Sequence, residues 1–290
     1  MQKIAIEVLE HAIRAGLSSS EVDMLLYIAR YQNEAGIARG IYYKDVCENI
    51  QISYQAFYDC KKSLVEKGII YAEKNNYFDW DITILNNSFL GKENFGRGYV
   101  SVASKMVRSA TFRKLRANAK LMALYLQREW QISRKQTGKT AYQMLKETFL
   151  LKFRGLFGVA DRMLRSYLTE LQPFLSVYLQ EGRKFFLTFK ENEVKNREIN
   201  GNDESREQQI KVACRRNKVK DISIKLQKDL MRLMSQYNPK ITKHPEFDLS
   251  RVMGLCLERI NINISKKNNW KREINAALMN KIMQEYLMQG

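Results

Sequence analysis

SYQAFYDCKKSLVEKGII, residues 53–70, decides how the first third of the chain is read. Ser53 has the hydroxyl of a helix N-cap, and Gly68 supplies the left-handed residue at which a helix stops. The apolar run Ile69, Ile70 and Tyr71 then leads to a turn at Asn75-Asn76. The chain returns as YFDWDITIL, with Tyr77, Trp80, Ile82 and Ile84 marking the second strand of a hairpin. Upstream, Val22, Leu25, Leu26 and Ala29 recur at helical spacing in SSSEVDMLLYIARYQ, where Ser19 or Ser20 can cap. The glycine-bearing loop NEAGIARG and a short helix, YKDVCENI, complete the set. Three helices are followed by a hairpin.

The same order recurs. FRKLRANAKLMALYLQREW keeps Leu115, Ala119, Met122, Ala123 and Leu126 on one helical face, and a polar loop, ISRKQTGK, follows. A helix is expected over TAYQMLKETFLLKF, then a break at RGLFG, then a third helix in VADRMLRSYLTELQ. After Pro173 the apolar strands FLSVYL and KFFLTF flank the turn QEGR.

This order resembles the winged helix-turn-helix superfamily, and SYQAFYDCKKSLVEKGII is similar to its recognition helix running into a wing. The resemblance covers about residues 17–86 and returns over 99–190. It implies a mainly α fold with small β-hairpin wings: a first winged-helix domain over 1–98, a second, basic one over 99–190, and double-stranded DNA as partner. A polar stretch, 191–209, reads as a mobile linker to a C-terminal helical domain, 210–290. There IKLQKDLMRLMSQY and WKREINAALMNKIMQEYLM have helical periodicity, the latter through Trp270, Ile274, Ala277, Leu278 and Ile282, and Lys266, Lys267, Lys271 and Arg272 form a minor basic patch.

The net charge of +18 is unevenly spread. Residues 1–98 carry 11 basic and 13 acidic side chains, residues 99–190 carry 18 and 5, and residues 191–290 carry 20 and 13. The middle third therefore holds a net +13. Such a field is self-repulsive unless a polyanion compensates it, so the second unit is the one expected to face phosphate.

In its third helix Met163, Leu164, Tyr167, Leu168 and Leu171 form an apolar stripe, which sends Arg162, Arg165, Ser166 and Thr169 outward as the base-reading set. Arg183 and Lys184 at the wing tip, and Lys152 and Arg154 before the turn, are expected on the DNA backbone. Arg113, Lys114 and Arg116, with Arg108 and Lys120, are candidate phosphate clamps at the entry to the unit, and Arg134, Lys135 and Lys139 occupy its first loop. The first unit offers Gln55, Tyr58 and Lys62 as a second DNA site, but its wing carries Glu73, Asp79 and Asp81, which repel phosphate. The competing use of that unit is protein contact, dimerisation or packing against the second unit, which would bury Tyr71, Tyr77, Phe78 and Trp80.

Other classes find little support. Cys47, Cys60, Cys214 and Cys256 form no CxxC pair, and His11 and His244 do not complete a zinc set, so the cysteines read as buried thiols and no metal or cofactor is expected. QTGKT ends like a phosphate loop, but position 133 is Ser and no apolar strand precedes it. No catalytic group stands out. No apolar stretch is long enough to span a membrane, and the N-terminus lacks a signal-peptide core, so a cytoplasmic non-enzyme is expected. The architecture resembles both transcription regulators and plasmid or phage replication initiators. The first is the leading expectation, initiation the alternative, and an adaptor using its winged units for protein contacts the third.

Overall fold

The computed structural model describes residues 2–75, 78–91, 98–138, 140–180, 182–190, 201–220, 222–266 and 274–288. The chain is mainly helical, with three small antiparallel sheets among the described residues. A short strand, β1 (Lys3–Ala5), leads into α1 (Ile6–Arg14) and α2 (Ser19–Tyr31). The cap of α2 is Ser18 rather than Ser19 or Ser20. Its Oγ accepts from the Glu21 N–H at 3.3 Å while Glu21 Oε2 accepts from the Ser18 N–H at 2.5 Å. Only Ser18 has a glutamate three positions on, so only it can close this reciprocal box.

The segment NEAGIARG, expected as a loop, contains strand β2 (Ile37–Ile41). There follow α3 (Tyr43–Ile50), α4 (Tyr54–Glu66), β3 (Ile70–Lys74) and β4 (Trp80–Ile84). Ser53 Oγ accepts from the Ala56 N–H at 3.1 Å, and Gly68, at φ +64°, ends α4. Strand β4 lies between the other two, with Ile82 opposite both Ala38 and Ala72.

Strand β5 (Tyr99–Ser101) pairs with β1, Ile4 opposite Val100, and ties the start of the chain to the start of the segment 99–190. Short helices α5 (Ser104–Arg108) and α6 (Ala110–Arg113) precede α7 (Ala117–Thr137). The polar run ISRKQT is thus helical rather than a loop, because nothing breaks the helix until Gly138, whose φ of +67° closes it. This corrects the placement of Arg134 and Lys135, which sit in the last turn of α7. Lys139 lies outside the described residues.

The helix expected over TAYQML is instead strand β6 (Tyr142–Leu145), and only then α8 (Lys146–Phe157). Next come α9 (Asp161–Glu170), β7 (Leu175–Gln180) and β8 (Lys184–Phe189). Tyr142 and Met144 pair with Leu187 and Phe185 of the central strand β8. The strand order β6-β8-β7 repeats the order β2-β4-β3, first strand beside third.

One hydrophobic cluster runs from Ile4 to Phe189 through both halves, with Leu25, Phe57, Phe112, Leu121 and Phe153 among its fully buried members. At the junction of α2 and α7, Lys120 is fully buried. Its Nζ lies 2.6 Å from Asp23 Oδ2 and donates to Ser19 Oγ at 2.7 Å. Lys120 is therefore no phosphate clamp: its charge is spent inside the protein.

Helices α10 (Gly201–Arg216), α11 (Ile224–Gln236), α12 (Asn238–Ile241), α13 (Leu249–Lys266) and α14 (Ala276–Met288) enclose a second cluster that includes Leu230, Val252, Met253, Ile260, Met279 and Met283. The later part of the stretch expected as a linker over 191–209 is helical from Gly201, and residues 191–200 lie outside the described ones. So do Lys267, Trp270, Lys271 and Arg272, and Ile274 precedes α14 rather than belonging to it.

Helix α10 docks on the preceding part of the chain at several points along its length. Near its start Glu204 is bonded to Arg30, with Oε2 and Nη2 2.8 Å apart, and to Arg108, so Arg108 is engaged within the chain and is no free clamp. In its middle Val212 packs on Gly40, where a Cβ would lie 2.3 Å from Cγ1 of Val212. Gly40 also sits at φ +66°, so an alanine there meets both backbone strain and a clash. Gly40→Ala is expected to cost about 1–3 kcal/mol, read as a lower midpoint in urea. An unchanged midpoint would mean that α10 does not pack on β2.

Candidate nucleic-acid interface

Arg162, Arg165 and Thr169 are exposed on one face of α9, while Leu164, Tyr167 and Leu168 are buried on the other. Met163, expected in the apolar stripe, is instead 36% exposed. Rolling α9 over would expose three large side chains at roughly 1.5–3 kcal/mol apiece, so packing alone fixes which face looks outward. Among the described residues neither Arg162 nor Arg165 is held by a carboxylate. Their five-donor forks therefore extend from a helix without an internal partner of opposite charge.

The two hydroxyls differ from the arginines. Ser166 is half-buried, and its Oγ accepts from Arg116 Nη2 at 2.5 Å. Thr169 Oγ1 donates back to the Arg165 carbonyl at 3.0 Å. Both are partly used within the protein, which leaves the two arginines as the groups of longest reach.

The backbone candidates also separate. Arg183 and Lys184 are exposed at the tip of the β7–β8 hairpin, where the Lys146 N–H donates to the Arg183 carbonyl at 2.8 Å. This brings Lys146, which the sequence did not single out, beside the tip. Lys114 is exposed. Arg154 is half-exposed and 3.9 Å from Asp161. By contrast Lys152 turns toward Glu129 at 3.5 Å and lies over the Tyr125 ring. Arg113 donates to the carbonyls of Asn49 and Arg108. Arg116 is bonded to Glu170 and stacks on Tyr167, 4.7 Å from its ring centre. Lys152, Arg113 and Arg116 are thus drawn into the protein's own bonding.

On the first unit, Gln55 and Lys62 are exposed on α4, Gln55 donating to Asp59 at 2.8 Å and Lys62 3.8 Å from Glu66. Tyr58 is half-buried in a run of rings, 4.8 Å from Tyr54, which in turn stands 4.9 Å from Tyr43. The hairpin differs from its sequence reading in two respects. Tyr71 and Phe78 are 57% and 76% exposed, so they are not buried against the second unit; Trp80 is half-buried with the Lys61 ammonium 3.5 Å from its ring centre, and Tyr77 lies outside the described residues.

Nor are its acids a repulsive surface. Asp79 is fully buried and accepts from Arg216 at 2.9 Å and Arg215 at 3.1 Å. Asp81 bonds Arg216 at 2.5 Å and the Gly40 N–H at 2.8 Å. Arg216 also reaches Asp248 at 3.1 Å. Burial works against the Arg216 charge, but the bond to Asp79 and the field of Asp81 outweigh it and raise its pKa further. Of the three wing acids, only Glu73 remains exposed. The signal was present in the sequence, since Asp79 and Asp81 stand two apart near a strand and so share a face that needs countercharge.

Among the described residues no group of His, Cys, Asp and Glu could hold a metal ion, and no helix is long and apolar enough to cross a membrane. Cys60 and Cys256 are buried, which pushes each thiol up to about 11, whereas Cys47 and Cys214 are half-buried rather than buried. No protein-family model, characterised protein or solved structure matches the chain.

Proposed function

We propose that the chain is a sequence-specific double-stranded DNA-binding protein made of two winged-helix units, and that the second unit holds DNA. The observation that carries this reading is the exposed pair Arg162 and Arg165 on α9, in the third of the chain with a net +13. A helix entering the major groove with two such arginines can bond O6 and N7 of guanine, while Arg183, Lys184 and Lys114 meet phosphates. The repeated order of helix, strand, helix, helix, strand, strand supports the winged-helix assignment. The protein acts by binding, without catalysis.

The shared core favours one role over another. Two unequal units fused through one interior suit a composite site without two-fold symmetry, read by a single chain. Replication initiation at direct repeats offers such sites, whereas promoter regulation by a symmetric dimer takes inverted ones. We therefore set the initiator reading beside the regulator that the sequence put first. Selection of bound sequences from a random library separates them: direct repeats support initiation, and inverted repeats return the regulator to first place.

Arg162→Ala and Arg165→Ala are each expected to weaken the selected site by about 1–3 kcal/mol relative to random DNA. Equal loss on both DNAs would make them phosphate contacts. The logarithm of affinity should fall against log salt with a slope of about −0.9 per phosphate neutralised. A flat response would remove the DNA reading altogether.

A further inference from the structure

The C-terminal helices carry a positive field of their own. Residues 210–290 hold 17 basic and 7 acidic side chains, an excess masked in the last third as a whole by the acidic stretch 191–209, which holds 3 and 6. Part of the excess is consumed inside the chain: Arg215 and Arg216 bond Asp79, and Arg259 bonds Glu285 at 3.0 Å. Another part is not, and it lies on α11.

On that helix Leu230 and Met234 are buried in the second apolar cluster, with Leu226 and Leu233 packed beside them. A helix of 3.6 residues per turn places Lys225, Lys228 and Arg232 on the opposite side, and all three are exposed. Among the described residues no carboxylate holds Lys225 or Lys228. The one acid of the helix, Asp229, lies 3.6 Å from Arg232, whose side chain is still 77% exposed. Lys218 and Lys220, just before the helix, are exposed as well. Lys228 and Arg232 stand at i and i+4, where like charges destabilise a helix, so the fold gains nothing from setting them together.

The spacing fits one kind of polyanion. A rise of 1.5 Å per residue sets Lys225 and Arg232 about 10 Å apart along the axis, which is about three phosphate steps of one DNA strand at 3.4 Å each. A lipid surface fits less well, because a helix lying on a membrane inserts its apolar face, and that of α11 is already covered. Among the described residues Ile224 is the only large apolar side chain exposed on this helix. We infer that α11 is a further phosphate-binding surface, which grips the backbone of duplex DNA through Lys225, Lys228 and Arg232. The inference rests on the DNA reading above and adds the C-terminal helices to it. They contribute affinity rather than choice of site, since contacts to phosphate carry no base information.

Lysine acetylation of the full chain, with and without a random-sequence duplex and read by mass spectrometry, tests this. Lys225 and Lys228 should be protected by the duplex at low salt and become reactive again as salt rises. Combining Lys225→Gln, Lys228→Gln and Arg232→Gln should weaken binding about tenfold on the selected site and on random DNA alike, and make the salt slope shallower by about 2–3. The urea midpoint should not move, because all three side chains stand in solvent. A duplex that leaves both lysines reactive, while Arg162→Ala still lowers affinity for the selected site, would overturn this inference and leave the role of the second unit standing. Absence of any duplex binding would remove both. Protection by polyglutamate or by vesicles of phosphatidylserine and phosphatidylcholine, and not by duplex, would also overturn it and assign the face to another class of partner.

Discussion

Arg216→Met is expected to destabilise the protein by about 3–5 kcal/mol, because it strands the fully buried Asp79 carboxylate without its closest countercharge. Arg215 remains, but it is only partly buried and contacts Asp79 through one nitrogen at 3.1 Å. The loss should fall first on the docking of α10, seen as faster amide exchange there and in β4 than in α9. Adding Asp79→Asn should recover part of the loss, since it removes the buried charge while keeping an acceptor. A cost below about 1 kcal/mol would mean that the network is solvated like a surface pair.

The second large effect belongs to Lys120. Lys120→Met keeps the buried stem but removes the ammonium that sits 2.6 Å from Asp23, and a loss of about 3–5 kcal/mol is again expected. Its pH dependence distinguishes it from a packing defect. Burial already raises the Asp23 carboxyl above its ordinary 3.8, with Lys120 opposing that shift, so removing Lys120 raises it further. A carboxyl whose pKa is raised by folding favours the folded state below its unfolded value, and that favour is lost as pH rises through the folded value. The gap between variant and parent in urea should therefore narrow as pH falls from about 7 to about 4. A gap independent of pH would assign the loss to packing. Asp23→Leu in the same chain should restore much of the stability, an apolar pair being tolerated where a lone charge is not.

These two arginine and lysine sites show where sequence reading reached its limit. Faces of single helices were legible: the i, i+3, i+7 spacing of Arg162, Arg165 and Thr169 sends all three to solvent, and Ser53 and Gly68 bound α4 as their chemistry requires. Their role on DNA does not follow from that geometry. Strands β2 and β6 were not legible, because four or five residues with little periodicity become strands only by pairing with β4 and β8, some forty residues away. ISRKQT lacks an apolar face yet continues α7, since polar residues carry no signal that ends a helix. Counting charges found the basic middle third but could not separate cations facing water from those consumed inside. Lys120 and Asp23 are 97 residues apart, and Arg216 and Asp79 are 137 apart.

The interior common to both halves has a consequence for distance. Helices α4 and α9 are anchored through Phe57 and Leu164 in the same apolar mass, so neither can swivel while the other stays put. A polymer gripped by both must offer its two patches at one separation and one angular phase. Inserting a single base pair between them would turn the second patch by about a tenth of a revolution, and half a turn would set it on the far side of the duplex. Were the proposed duplex to meet both helices, a slack joint between them would tolerate either insertion, whereas a joint packed through one interior would keep one grip and lose the other.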